Sequence, residues 1–442
     1  MVGIPAHEKL VIIMIEINGL TKTSVNNYGK NSIEVNTNTG VPPSLISRID
    51  AGKSALVSKA LTKPRLYFVD NLRILLTILV ITQHAAQTYS AGGAWFLPVE
   101  PSPLINTLLL GMFQVVNMSF FMGLFFMISA YFVPGSYERK GAATFYKDRL
   151  IRLGIPIVVF SLLVFPVMLY LLHGSGVTSF VGYYLNSYLT LSWQMNVQGF
   201  TVGHLWFLLQ LLILSGIYVI FRKANGSRSS NDSEQASTKK IVFPSNLAIV
   251  TFTLALGLAM FAVRIVFPVN TWLIFQIVEP AHYPEYVALF AVGILAFRND
   301  WFNTLPAATA RKWGYVTVLA IIALFPMFII FRTSITDGGL TMANITLSMW
   351  EAIVCVGMCI SLIYLFRNRF NFQGKIAKAL SDNTFTVYLI HIPIIVFLQY
   401  LLIGVNIHPL VKFAIVCLLG VLTSFLLSHY VVRRLPYAKY VL

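Results

Sequence analysis

Residues 65 to 90 read RLYFVDNLRILLTILVITQHAAQTYS, a run apolar enough to cross a bilayer that nonetheless carries Asp70, Arg73 and His84. About 20 consecutive apolar residues span the hydrocarbon core as a helix. An ionisable side chain placed there costs at least ~2.5 kcal/mol, so such groups face a polar interior and mark function. Arg73 and His84 are 11 positions apart. At about 100° per residue that is three turns and roughly 20° more, so the two share one helix face. With about 1.5 Å of rise per residue, their heads stand on the order of 16 Å apart along the axis.

Composition sets the class of the whole chain. Of 442 residues, 57% are hydrophobic and only 11% charged, against about 25% charged in soluble domains. An integral membrane protein is expected. From residue 66 onward ten apolar spans are predicted, at 67–89, 108–133, 153–173, 204–221, 246–268, 284–298, 313–331, 346–366, 383–403 and 410–431, giving an all-α polytopic bundle embedded in a lipid bilayer. The net charge of +16 would in a soluble protein suggest nucleic acid, but its distribution excludes that partner. Alternate connections hold 28 of the 32 Lys and Arg, as the positive-inside rule requires. Only Arg264, Arg332 and Lys412 fall on the opposite side, and Arg73 lies inside the first span. Both termini are therefore expected in the cytoplasm, with the plasma membrane as the location.

Residues 1–64 are rich in Asn, Ser, Thr and Gly and read as a disordered cytoplasmic tail. Their apolar piece LVIIMIEI at 10–17 is too short to span and lacks the flanks of a signal peptide. The transmembrane domain is expected at 65–435, with a flexible linker at 222–244 and a short tail at 436–442. No internal repeat is evident. Cys355, Cys359 and Cys417 all lie in apolar stretches, where packing is the expected role. Neither a metal nor a permanently bound cofactor is expected.

A histidine suits general-base work, because a reference pKa near ~6.5 leaves it largely neutral and able to take a proton from a hydroxyl. His84 has that reading, with a hydrogen-bonded core histidine as the alternative. Asp70, one turn before Arg73, either pairs with it to fix the helix or belongs to the site. His204 at the start of span four, Glu279 before span six and Glu351 at the entrance of span eight are expected at a depth like that of His84. Glu351 is the candidate to orient an imidazole, and each of the three has an interfacial reading beside it. At the other end, YKDRLIRLGIP puts Arg149 and Arg152 three apart on one helix face. They read as a phosphate clamp with Lys147 adding charge, or as a positive-inside anchor. In SDNTFTVYLIHIP, Tyr388 and His391 precede Pro393. The proline frees a carbonyl, so His391 either caps it or lines a polar pocket that it opens.

These residues together resemble a known family. The first span resembles that of the membrane-bound acyltransferase-3 family, whose hallmark is an arginine and a histidine with ten residues between them. SFFMGLFFMISAYF at 119–132, FYKDRLIRLGIP at 145–156, GHLWFLL at 203–209 and FTVYLIHIP at 385–393 follow in the family's order. Within it the layout is most similar to the succinyltransferases that modify periplasmic glucans. The resemblance implies transfer of an acyl group from acyl-CoA, a co-substrate, to a hydroxyl of a carbohydrate or glycolipid acceptor. It makes His84 the essential histidine, Arg73 its companion, and Arg149 with Arg152 the arginine pair near the donor. One departure is Ala130 after Ser129, where the family commonly carries Ser-Gly, and it is expected to crowd that helix.

The rival from another class is a transporter or flippase using Asp70, Arg73, His84 and His391 as its path. The outer loops at 90–107 and 174–203 contain Glu100 as their one ionisable carboxylate and no Lys or Arg, which disfavours a strongly anionic acceptor there. The acyl group, the acceptor and the oligomeric state are left open.

Overall fold

Inside lipid every backbone N–H and C=O must be satisfied within its own segment, so apolar runs of spanning length become helices. The computed structural model describes residues 65–90, 95–173, 179–189, 200–226, 240–273, 277–331, 335–436 and 438–441. The predicted tail at 1–64 and the centre of the predicted linker lie outside the described residues. Among the described residues every named element is a helix, with a single bridge between Leu273 and Val278 as the nearest approach to a strand.

Nine helical stretches among the described residues are long and apolar enough to cross a membrane, where ten spans were expected. The difference is the sixth. It does fold as a helix, Tyr283–Asn299, but it has 17 residues and carries Glu285 in its first turn. That length is at the short limit of about 17–25 residues for a span.

The principal helices are α1 (Tyr67–Ala86), α2 (Leu104–Met118), α3 (Phe121–Tyr131), α4 (Ala142–Arg149), α5 (Trp206–Gly226), α6 (Asn246–Arg264), α7 (Tyr283–Asn299), α8 (Ala307–Phe331), α9 (Met342–Arg369), α10 (Lys375–Leu401) and α11 (Pro409–Tyr430). The predicted second span is thus two helices. The chain leaves helical geometry at Phe120, with φ −143°, and Ser119 turns its hydroxyl back onto the Val116 carbonyl at 2.7 Å.

Packing makes α1 the hub, in contact with α3, α9, α10 and α11. Its Leu72, Leu76 and Ile81 are fully buried. The helix carrying Arg73 and His84 is therefore walled by protein. By contrast α8 exposes Val318, Leu319, Ile322, Phe325 and Ile329, an apolar outer surface suited to lipid tails. The most extensive contact between two helices is α3 on α7. Neither Gly123 nor Gly293 there has room for a Cβ, which is how small residues let backbones approach without a hydrophobic drive between helices. Ala130 packs directly on Gly293, so its extra methyl meets a residue that has none and the expected crowding is relieved across the interface.

Candidate active site

Three histidines from three helices meet around the end of α1. His84 sits in the last turn of α1, His391 midway along α10, and His204 in a short 3-10 turn that leads into α5. His204 enters because Gly203 turns the chain at φ +49°, against the ring of Phe165, where a Cβ has no room. The ring centroids of His84 and His391 are 5.1 Å apart, and those of His204 and His391 4.7 Å.

The tautomers follow from what each nitrogen touches, because a carbonyl oxygen only accepts. His84 Nδ1 is 2.8 Å from the Val80 carbonyl and therefore carries a proton. His391 Nδ1 is 2.7 Å from the Tyr388 carbonyl and carries one also. His391 Nε2 is then a lone pair, 3.2 Å from His84 Nδ1, and accepts from it. That leaves His84 Nε2 as a basic lone pair. His204 Nε2 donates to the Leu389 carbonyl at 3.1 Å, so its Nδ1 is a second lone pair, buried and without a hydrogen-bond partner among the described residues. Two imidazole nitrogens thus stand ready to accept a proton or a hydrogen bond.

The Leu389 carbonyl is the one that Pro393, four residues on and lacking an N–H, cannot satisfy. His204 caps it, rather than His391 as one sequence reading had it. Tyr388 donates its hydroxyl to the backbone carbonyl of His204 and packs its ring edge-on against that imidazole at 5.3 Å. Tyr388, His391 and His204 are therefore one interlocked unit with His84.

Arg73 lies on the first turns of α1, whereas Arg149 ends α4 and Arg152 follows it. Arg73 is one-third exposed, and its guanidinium is 3.8 Å from Asp70, a loose ion pair on the first turns of α1. Between Arg149 and Arg152 the chain adopts a π-helical turn, Leu150–Gly154, so the predicted i, i+3 alignment is altered. Arg149 reaches Ser215 on α5 at 3.3 Å, whereas Arg152 lies 5.1 Å over the Phe385 ring on α10. The two guanidiniums bracket α5 and α10. Lys147 is exposed and, two residues before Arg149, projects from a different side of α4. From Phe385 to His391 is six residues of α10, about 9 Å of rise.

Glu351 and Glu279 are placed elsewhere. Glu351 is buried and pairs with Arg264, which also donates to the Ala281 carbonyl at 3.2 Å. It does not orient His84, and the interfacial reading of both acids gives way to burial. Glu279 stands 3.0 Å from His282 and accepts from the Asn270 N–H at 2.8 Å. Burial pushes the Glu279 carboxyl up, but His282, the Asn270 N–H and Arg264 outweigh it and the net direction is down. Burial likewise pulls the His282 imidazole down, whereas Glu279 and Glu351 raise it above its usual value. Two of the basic residues on the sparsely charged side, Arg264 and Lys412, are accordingly buried in ion pairs, Lys412 with Glu100 at 2.7 Å.

Two neighbours of His84 carry no sequence signal. Trp95 stacks on the His84 ring at 5.5 Å and 26°. Gln399, fully buried on α10, accepts from the Trp95 indole N–H at 2.8 Å.

Comparison with known proteins bears on the family of the chain as a whole. The family model described as an acyltransferase domain, acyltransferase family 3, matches residues 66–429. The chain is similar to Glucans biosynthesis protein C of Escherichia coli O17:K52:H18 (strain UMN026 / ExPEC), at 27% identity over 343 residues that cover 75% of this chain and 83% of the relative. The protein of that name in Shigella dysenteriae serotype 1 (strain Sd197) is similar to the same extent. No solved structure matches.

Proposed function

The chain belongs to the acyltransferase-3 family, and on that premise we propose that it moves an acyl group, acetyl or succinyl, from cytoplasmic acyl-CoA to a hydroxyl of a cell-envelope carbohydrate or glycolipid. The observation that carries this reading is the imidazole cluster: His84 Nε2 is left as a lone pair because Nδ1 is committed to Val80 and His391. A base of that kind acts directly on an alcohol. The acceptor O–H gives its proton to Nε2 as its oxygen attacks the thioester carbonyl carbon. The C–S bond then breaks, and the CoA thiolate takes the same proton from the imidazolium. Ester and free CoA result, with nothing else consumed.

During that step the charge on His84 is shared with the Val80 carbonyl and the His391 lone pair, which are already in place. His204 Nδ1 accepts a hydrogen bond from a substrate N–H or O–H. Arg149 and Arg152 hold the phosphates of the donor, and Lys147 contributes its charge from the surface. Arg73, about 16 Å from His84 by helix rise, is too far to touch the same carbonyl and holds the polar arm of the donor, oriented by Asp70. The arginine end faces the cytoplasm of the plasma membrane and the histidine end faces the acceptor.

Purified protein in lipid nanodiscs, given acetyl-CoA or succinyl-CoA with membrane glycans, is expected to release CoA only when acceptor is present. Gradient-driven uptake with no consumption of the thioester would overturn the proposal.

A further inference from the structure

Resting on the reading of His84 as the base, we propose that Trp95 is a positioning residue of the transfer: it holds the His84 ring in one orientation and stabilises that ring when it takes a proton. The indole lies nearly parallel to the imidazole, with centroids 5.5 Å apart and an angle of 26° between planes. A cation within about 6 Å of an aromatic centroid is attracted by the ring quadrupole, and Trp is the strongest partner. Neutral His84 is only packed by the indole; the imidazolium is bound by it. The contact is therefore stronger in the state that follows proton transfer than in the resting state, which is the condition for an interaction to accelerate a step.

The indole is itself held. Its N–H donates to Gln399 Oε1 at 2.8 Å, while Gln399 Nε2 donates to the Ala85 carbonyl at 3.1 Å. One buried amide thus fastens both Trp95 and the turn of α1 that bears His84. The segment behind Trp95 is a strap rather than a loose loop. The Glu100 N–H bonds the Thr88 carbonyl at 2.8 Å, and Lys412 grips both Glu100 carboxylate oxygens at 2.9 and 2.7 Å. Pro98, Pro101 and Pro103 stiffen it further.

The Trp95 indole N–H, the Glu100 carboxylate and the Asn106 amide nitrogen are engaged within the protein, by Gln399, by Lys412, and by Ser102 and His408. To an acceptor arriving beside His84 the strap offers an aromatic face and no uncompensated charge. That surface suits a neutral ring with a free hydroxyl, whose C–H face packs on the indole.

The test uses full-length protein in nanodiscs, acetyl-CoA and succinyl-CoA as donor probes and a glucose oligosaccharide as acceptor, with variants W95F, W95L and Q399L. Phe keeps a π face, whereas Leu keeps apolar bulk alone. W95F is expected within about threefold of wild-type kcat and W95L at least about tenfold below it, with the KM for acyl-CoA unchanged in both. Q399L, which removes the hook and leaves the indole, is expected between them. A second measurement needs no turnover: carbethoxylation of His84 by diethyl pyrocarbonate, followed by mass spectrometry, is expected to run several-fold faster in W95L than in W95F. Equal rates for W95L and W95F in either measurement overturn the proposal. Should wild type transfer nothing, the transferase reading fails separately, and equal carbethoxylation of the two variants still overturns the positioning of His84 by Trp95.

Discussion

His84 Nδ1 and His391 Nε2 face each other at 3.2 Å. His391 has its own Nδ1 proton committed to the Tyr388 carbonyl at 2.7 Å, so it meets His84 only as an acceptor. Removing that acceptor leaves Val80 alone to fix the tautomer. H391F is expected to lower kcat roughly 5- to 100-fold, the equivalent of about 1–3 kcal/mol for a lost buried hydrogen bond, with the KM for acyl-CoA within about twofold. H391Q keeps an acceptor and is expected to recover part of the rate. Steady-state kinetics of both variants check this, and wild-type kcat in H391F would contradict it.

Arg149 and Arg152 bracket α5 and α10 through Ser215 and Phe385. If they hold the donor, losing either one removes charge-assisted hydrogen bonds worth about 1.5–3 kcal/mol each. R149A and R152A are each expected to raise the KM for acyl-CoA about 10- to 100-fold with a smaller effect on kcat. Lysine is a poor substitute, because its point charge lacks the planar fork. Initial rates against donor concentration decide the matter, and an unchanged KM in both variants sinks the assignment.

Arg264 and Glu351 are a buried pair, with side chains 1% and 5% exposed. Breaking such a pair leaves one charge without compensation and costs about 3–5 kcal/mol, whereas replacing both partners by apolar residues is near neutral or stabilising. R264M and E351L are each expected to lower Tm sharply, and the double variant R264M/E351L to regain most of it. Thermal unfolding in detergent gives the answer. Single variants that melt with wild type would show that the pair holds nothing together.

Glu279 and His282 give the fold a pH dependence. The raised His282 contributes stability that is fully present below its unfolded pKa of about 6.5 and is lost as pH rises through the higher folded value. The depressed Glu279 contributes stability present above its unfolded pKa of about 4.3 and lost as pH falls through the lower folded value. Tm is therefore expected to fall from about pH 6.5 upward, and E279Q to flatten that fall. An alkaline decline of equal slope in wild type and E279Q would remove the pair from the explanation.

Much of the architecture is legible in the chain because lipid leaves apolar segments a single choice, the helix, and because alternating Lys and Arg mark its turns. Spacing along one helix was equally readable, since Arg73 and His84 belong to the same α1. Contacts between helices were not. Glu351 is an acid at a plausible depth for His84, and only packing reveals that Arg264, 87 residues away, claims it. Pro393 announces a freed carbonyl, but the donor that caps it is His204, 185 residues earlier. Trp95 sits in a short connection rich in Gly and Pro, where an aromatic carries no pattern. Its role comes from Gln399, 304 residues on, and no local pattern connects them.

On the proposed mechanism His84 performs the proton transfer of the acyl transfer reaction. Acyl transfer from acetyl-CoA or succinyl-CoA to membrane glycans, measured by free CoA and by mass spectrometry of the glycans, compares wild type with H84A at matched protein levels. General-base catalysis is worth about 10²–10⁴-fold, and H84A is expected to lose activity to that extent while still binding acyl-CoA. Wild-type rates in H84A would contradict the account.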